Sequence, residues 1–352
     1  MTFPRIIVII PIAIVMIREY IKSLVDGRDM SLAESEEAMS EIMTGKATPS
    51  QISALITALR IKGETIEEIS GFAKIMRDHA VKLPLKSDYF VDTCGTGGDV
   101  SGTFNISTVS SFVAAGAGVT IAKHGGRAVS SKCGSADLLE KLGIKIDITP
   151  EKVSQCIDAI GIGFIFAPLF HQAMKYAATT RKEIGIRTIF NILGPVSNPA
   201  NTKGQLMGVY SPQLTSVMAN VLKNQGCETA IVVYGMDGID EISVSGQTKI
   251  SHLSNGIIKE YFIEPENFGI KRQPMSSILG GSTEENAAIA VNILEGKEKG
   301  PKRDVVVLNA AAAIVVGKKA ADLNEGLELA KRSLDSGAAM EKLEKLRRFT
   351  CS

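Results

Sequence analysis

Few features of the chain would set it apart from ordinary globular proteins. Its five cysteines, Cys94, Cys133, Cys156, Cys227 and Cys351, are scattered and include no Cys-x-x-Cys pair. That spacing excludes a zinc knuckle or dithiol redox motif and reads as the reduced thiols of a cytoplasmic protein. Glycine and proline, 33 and 12 of 352 residues, are too sparse for a collagen-like or low-complexity chain, and tryptophan is absent. No sign of charge dominates: 39 basic against 38 acidic residues leave a formal net charge of +1. A binder of nucleic acid or membrane surface through bulk charge is excluded, so an anionic ligand has to be held by local geometry. Long apolar runs are also missing, apart from Ile6 to Ile17, which Pro11 interrupts and which is too short to span a bilayer. Met16-Ile17-Arg18-Glu19-Tyr20 leads straight into an amphipathic pattern, so residues 1–15 read as a mis-called start or a dispensable extension, with a membrane anchor or signal as the alternative that the length disfavours.

What is present points to two domains, since a single core stops growing near this length. From about Arg18 to Ala80 three helix starts share one signature: Ser31 with Glu34, Thr48 with Gln51, and Thr65 with Glu68. Each is a capping box, with Pro49 at a first helical position and Gly45 and Gly63 marking stops. Residues 16–83 therefore form a small all-helical domain, ended by the linker Pro84-Leu85-Lys86-Ser87. Beyond it, apolar strand candidates at Tyr89–Val91, Val119–Ala122, Ile144–Ile146, Gly163–Phe166 and Ala230–Tyr234 alternate with helix candidates. The helices are Thr108–Ala115, Ser135–Leu142 and Pro150–Ile160, the last capped by Thr149. Strand, helix, strand repetition predicts an α/β domain with a mainly parallel sheet covered on both faces, its ligands in the loops at the carboxyl ends of strands.

Four stretches in those positions carry chemistry. Asp92-Thr93-Cys94-Gly95-Thr96-Gly97-Gly98-Asp99 opens toward the hydroxyl-rich Thr103 to Ser111 and suits either a phosphate cradle of backbone N–H groups or a plain tight turn. It matches neither Gly-x-x-x-x-Gly-Lys-Ser/Thr nor a dinucleotide fingerprint, which would need a third glycine at Val100. Lys123-His124-Gly125-Gly126-Arg127, running on to Lys132, sets cations around a Gly-Gly bend, suited to a pyrophosphate or carboxylate, or idle in solvent. Asp240-Glu241 after the Ala230–Tyr234 strand offers hard oxygens for Mg²⁺, or is an acidic turn. Arg181 to Gly194-Pro195, followed by Asn198-Pro199, contains an arginine able to fork onto a carboxylate; spacing does not separate Arg181 from Arg187.

In order, and along nearly the whole chain from about Met16, these runs resemble the anthranilate phosphoribosyltransferase family. The resemblance rests on Gly95-Thr96-Gly97-Gly98-Asp99, Lys123-His124-Gly125, Ser135-Ala136-Asp137, Arg181 through Gly194-Pro195 with Asn198-Pro199, and Asp240-Glu241. It implies a homodimer, joined through the helical domain, of nucleoside-phosphorylase-like architecture: residues 16–83 plus about 168–190 as the helical domain, 88–167 plus about 191–352 as the large α/β domain, and the active site between them. It also implies 5-phosphoribosyl-1-pyrophosphate (PRPP) on Gly95, Gly98, Asp99, Thr103, Asn105 and Lys123, and Mg²⁺ on Ser107, Asp240 and Glu241. Anthranilate would lie by His124, Gly126, Arg181 and Gly194, its amine displacing pyrophosphate in tryptophan biosynthesis. No residue is assigned as a nucleophile. The family usually shows Lys-His-Gly-Asn-Arg, and this chain has Gly126 in place of the asparagine.

Two rivals share the topology. A nucleic-acid-binding relative would replace acids with Lys or Arg, against the retained Asp240-Glu241 and the near-zero net charge, and a pyrimidine nucleoside phosphorylase would use inorganic phosphate without Mg²⁺.

Overall fold

The computed structural model describes residues 13–98, 101–128 and 132–352. The apolar start at residues 1–12 and the candidate Asp99 lie outside the described residues. The chain divides into two compact units, residues 1–79 with 172–193, and residues 80–171 with 194–352.

The first unit is helical. Helices Ala13–Val25, Leu32–Met43, Pro49–Lys62 and Ile66–Asp78 are joined by Lys175–Ile184, which packs on the second and third of them. The three capping boxes form as expected: Ser31, Thr48 and Thr65 each accept a backbone N–H while Glu34, Gln51 and Glu68 reach back. Ile42, Leu55, Ile56 and Phe72 make a dry interior. Gly71 lets two helices touch, because a Cβ there would lie 2.7 Å from the Ser35 side chain. Glu68 does more than cap: fully buried, it accepts the Met30 and Thr65 N–H groups at 2.9 and 2.8 Å and pairs with Lys62 at 3.0 Å.

The second unit is built on one seven-stranded sheet. Its strands are β1 (Val91–Gly95), β2 (Ile121–Gly125), β3 (Ile162–Phe166), β4 (Gly204–Gly208), β5 (Thr229–Gly235), β6 (Thr248–Ser254) and β7 (Ile257–Ile263), in the order β3-β2-β1-β4-β5-β6-β7. The first five are parallel, and β6 and β7 add an antiparallel edge. Both faces are covered. Ile121 and Phe164 join the large core with the Ile106–Gly116 and Pro301–Val316 helices, while their neighbours Ala122 and Ile165 face Val153 and Ile157 of the Pro150–Ile160 helix. From β1 the chain moves outward to β2 and β3, then returns to β4 on the other side of β1. That reversal is the topological switch at which open α/β sheets bind ligands.

Several sequence expectations are corrected. Ile144–Ile146 is not a strand: both isoleucines are buried, but the Lys145 N–H between them donates to the Thr350 hydroxyl and not to a neighbouring strand. The strands expected at Tyr89–Val91 and Val119–Ala122 run later, through polar residues that an apolar-run criterion treats as strand ends. β4, β6 and β7 were not anticipated, although Asn255-Gly256, both at positive φ, is the turn signal of the β6–β7 hairpin.

Glu68→Ala should lower the stability of the helical unit by about 2 kcal/mol, since it leaves the Met30 and Thr65 N–H groups without their acceptor, while Lys62 keeps Asp29 and the Gly63 carbonyl. Urea denaturation followed by circular dichroism measures this, and an unchanged midpoint would refute the role given to the carboxylate.

Candidate active site

β1, β2, β4 and β5 each end on a glycine, and at β1 and β4 the reason is steric. A Cβ on Gly95 would fall 2.3 Å from Asp240 Oδ2, and one on Gly208 would fall 1.5 Å from the Asp240 carbonyl oxygen. The acidic turn after β5 is thus pressed onto the carboxyl ends of β1 and β4, an approach only glycine permits. The loop beyond β1 folds over it: Thr96 N–H reaches Gly208 O at 3.0 Å, and Gly97 N–H donates to Asp240 Oδ2 at 2.9 Å. Gly97 and Gly98 have φ of 64° and 78°, where a side chain would be strained.

Asn105 stands at the start of the Ile106–Gly116 helix without capping it. Its amide instead donates to Cys133 O at 2.9 Å and accepts from Asn286 at 3.2 Å. The helix start is turned toward the acidic pair, and the Ser107 N–H donates to Glu241 Oε1 at 3.1 Å, a carboxylate placed where the helix dipole favours it. Ser107, Asp240, Glu241 and the Gly95–Gly98 loop therefore meet at the switch point. Thr103 lies farther along the same loop in an isolated bridge to Leu279.

The end of β2 supplies charge from below. Lys123 is buried, with Nζ donating to the Thr93 carbonyl. Burial pushes its pKa down, while Asp92, Cys94 and Glu241 act to restore the charge. Asp92 is fully buried and pushed up to about 6 by desolvation, opposed by Lys123 and by hydrogen bonds from Asn198 and the His124 and Thr93 backbone. His124 is pushed down to about 3, first by burial and then by His171, whose ring lies edge-on at 5.0 Å. Its Nδ1 is 3.2 Å from Gly194 O; a carbonyl only accepts, so Nδ1 carries the proton. Nε2 is then a bare acceptor, buried and without a partner among the described residues.

Beside the Gly125-Gly126 bend the neighbouring arginine is engaged. Arg127 pairs with Asp137 at 3.0 Å and with Glu140, and lies over the Phe166 ring. Asp137 also takes the Ala128 and Gly134 N–H groups, so it holds the loop in shape. Gly126 has open space around it among the described residues. Arg181 belongs to the helical unit, where it is half-buried and lies over Phe190 at 5.0 Å. Gly194 is held to the sheet segment through its carbonyl, which accepts from His124 and from the Ser197 hydroxyl.

A glycosyl transferase family a/b domain matches residues 87–340, and the helical bundle domain of the same family matches residues 18–80. Anthranilate phosphoribosyltransferase of Acetivibrio thermocellus is 56% identical over 96% of this chain and 97% of its own length. The chain belongs to the anthranilate phosphoribosyltransferase family. The Thermus thermophilus enzyme superposes with a TM-score of 0.90 at 40% identity, covering 95% of this chain and 99% of that one. The Saccharomyces cerevisiae enzyme in complex with PRPP and Mg gives 0.88 at 29% identity, covering 96% and 98%. A second yeast structure, at TM-score 0.86 and 28% identity over 95% and 98% of the two chains, is in complex with 4-fluoroanthranilate.

For a member of the anthranilate phosphoribosyltransferase family, the donors at the switch point suit magnesium. One hydroxyl and two carboxylates are hard oxygens, and Mg²⁺ typically takes one or two carboxylates together with substrate phosphates. Three buried polar residues near the site carry no role in the sequence reading: Asp92, which accepts from Asn198 and the His124 N–H; Gln205, which donates to Pro195 O; and Asn309, which bonds the Ile242 backbone. Each is a buried polar residue inside an apolar element, which is the signal that could have found it.

His124 makes stability depend on pH in a defined sense. Its folded pKa lies below the ordinary 6.5, so between about 6.5 and 3 the unfolded chain takes up a proton that the folded chain refuses. Stability therefore falls as pH falls through that window, by up to roughly 1.4 kcal/mol per unit. Asp92, raised from 3.8 to about 6, acts in the opposite sense, gaining a folded-state proton over its own window. Subtracting the curve of His124→Gln from wild type, by urea denaturation between pH 4 and 7, should isolate a slope of about one proton. Parallel curves would show that the imidazole is not held neutral.

Proposed function

We propose that the chain transfers the 5-phosphoribosyl group of PRPP to the amine of anthranilate, releasing pyrophosphate and forming N-(5-phosphoribosyl)anthranilate in tryptophan biosynthesis. The observation that carries this reading is the acidic turn locked under the Gly95–Gly98 loop and against the Ser107 N–H, in a chain aligned with anthranilate phosphoribosyltransferases over nearly its full length.

The division of labour follows from the chemistry. Gly95, Gly98, Asp99, Thr103, Asn105 and Lys123 are proposed to bind the donor, and Ser107, Asp240 and Glu241 to hold Mg²⁺, which when bound neutralises charge on the diphosphate. As the bond from the anomeric carbon to the diphosphate breaks, negative charge grows on the leaving group and oxocarbenium character on the ribose. Backbone donors and a buried cation fixed in advance stabilise that charge without reorganising. No protein nucleophile is required, because the acceptor amine itself forms the new bond. His124, Gly126, Arg181 and Gly194 are proposed for the acceptor, with the bare Nε2 of His124 available to an N–H and Arg181 to a carboxylate. Residues 16–83 with about 168–190, and 88–167 with about 191–352, are proposed as the two domains, and the compact units support that division to within a few residues. A cytoplasmic homodimer joined through the helical domain completes the proposal; among the described residues no helix is long and apolar enough to cross a membrane.

Anthranilate fluorescence should be consumed when PRPP and Mg²⁺ are supplied together and should persist in chelator; consumption that ignores chelator, or none at all, overturns the assignment. At position 126 a Cβ meets no described atom within 4 Å and the backbone imposes no positive φ, so Gly126→Asn should fold normally. The restored amide should lower the Michaelis constant for anthranilate about fivefold, equivalent to one hydrogen bond of ~1 kcal/mol, while leaving that for PRPP nearly unchanged. An anthranilate constant that does not move would remove Gly126 from the acceptor site.

A further inference from the structure

The Pro301–Val316 helix is buried without interruption from Val305 to Val316, and Asn309 is the single polar side chain in that stretch of valine, leucine, alanine and isoleucine. An amide in such surroundings is costly unless its hydrogen bonds are made. Asn309 makes three. Its Oδ1 accepts the Ile242 N–H at 2.9 Å, and its Nδ2 donates to the Ile242 and Val305 carbonyls, both at 2.9 Å. The amide orientation is fixed by these partners, since a flipped group would set NH₂ against N–H. Two of the bonds grip both backbone polar groups of one residue. Ile242 is fully buried, outside the strands, and immediately follows Asp240-Glu241.

We propose that Asn309 is a positioning residue for the divalent cation: from a core helix it clamps the backbone beside Asp240 and Glu241, so that their carboxylates are presented to the metal in one arrangement. The proposal rests on the reading of Asp240 and Glu241 as metal ligands. The carboxylates are steadied at their tips by Gly97 N–H and Ser107 N–H, the Asp240 carboxylate lies against Gly95, and the Asp240 backbone is seated on Gly208. Asn309 adds a constraint on the chain leaving the turn. Groups that orient metal ligands from behind characteristically tune metal affinity while touching neither metal nor substrate.

The test is a titration of Mn²⁺ with the full chain in saturating PRPP, read by electron paramagnetic resonance, alongside initial rates at varied Mg²⁺. Asn309→Ala should weaken Mn²⁺ binding about tenfold or more and raise the Mg²⁺ needed for half-maximal rate by a similar factor. At saturating Mg²⁺ its kcat and its KM for anthranilate should stay within about twofold of wild type, because Asn309 reaches the chemistry only through the ligands it orients. A purely structural role predicts the converse, a reduced kcat with an unmoved metal constant, and that result overturns the proposal. Should Asn309→Ala yield no soluble protein, Asn309→Ser is read in the same way, with a metal constant between those expected for alanine and wild type; a wild-type constant there overturns the proposal. The double variant Asp240→Asn, Glu241→Gln separates the two levels of the argument. Loss of Mn²⁺ by the double variant with full retention by Asn309→Ala defeats the positioning role alone. Retention by the double variant defeats the metal reading and the proposal with it.

Discussion

Everything at the site depends on one close approach, the seating of Asp240 on the ends of β1 and β4, its carboxylate against Gly95 and its backbone against Gly208. With any side chain at Gly208 the turn could not sit there, and one at Gly95 would displace the Asp240 carboxylate. Because it does, one carboxylate reaches the Gly97 N–H and the next reaches the start of the Ile106–Gly116 helix. Two strand ends, a helix start and an acidic pair far apart in the chain thus converge at the point where the sheet reverses direction. Backbone N–H groups and carboxylate oxygens are arranged before any ligand arrives, which is the condition for electrostatic stabilisation without reorganisation.

A second layer keeps that arrangement from drifting. The strands carry buried polar residues just where they approach the site, and each is answered by a specific partner. Asp92 accepts from the Asn198 amide at 2.8 Å and from the His124 N–H at 3.2 Å; Asn198 also donates to Ala122 O at 2.8 Å. Gln205 on β4 donates to Pro195 O at 2.6 Å. These bonds sew the Gly194-Pro195 and Asn198-Pro199 segment onto β1, β2 and β4. A buried polar network is stabilising only when its members are satisfied, so it fixes one register and penalises alternatives. Lys123 and Asp92 show the associated tension, since burial opposes the charge of each and their proximity restores it.

Much of this was legible in the sequence. The capping boxes at Ser31, Thr48 and Thr65 are local chemistry, with donor and acceptor within one turn, and they form as the spacing dictates. The alternation of strand and helix predicted a mainly parallel sheet covered on both faces, and the glycine loops pointed to its carboxyl ends. Other expectations failed for identifiable reasons. Ile144–Ile146 has the alternation of a strand but no strand beside it, and pairing is a property of the neighbour. β1 and β2 extend past their apolar runs because Asp92, Thr93, Lys123 and His124, though polar, are buried within the strands.

Residue types and short spacings were therefore enough to determine the helix caps, the fold class and the glycine-rich loops at the strand ends, because those depend on interactions within a few residues. Only the tertiary structure decided what each polar residue does. It engaged Arg127 with Asp137 and Glu140, sank Lys123 beneath β1, and made His124 a neutral acceptor. It also bonded Asn309 to Ile242, 67 positions away in the chain and next to the acidic pair. The physical reason is common to all of these: burial and partner determine charge state and orientation, and both are set by segments that the sequence does not place side by side.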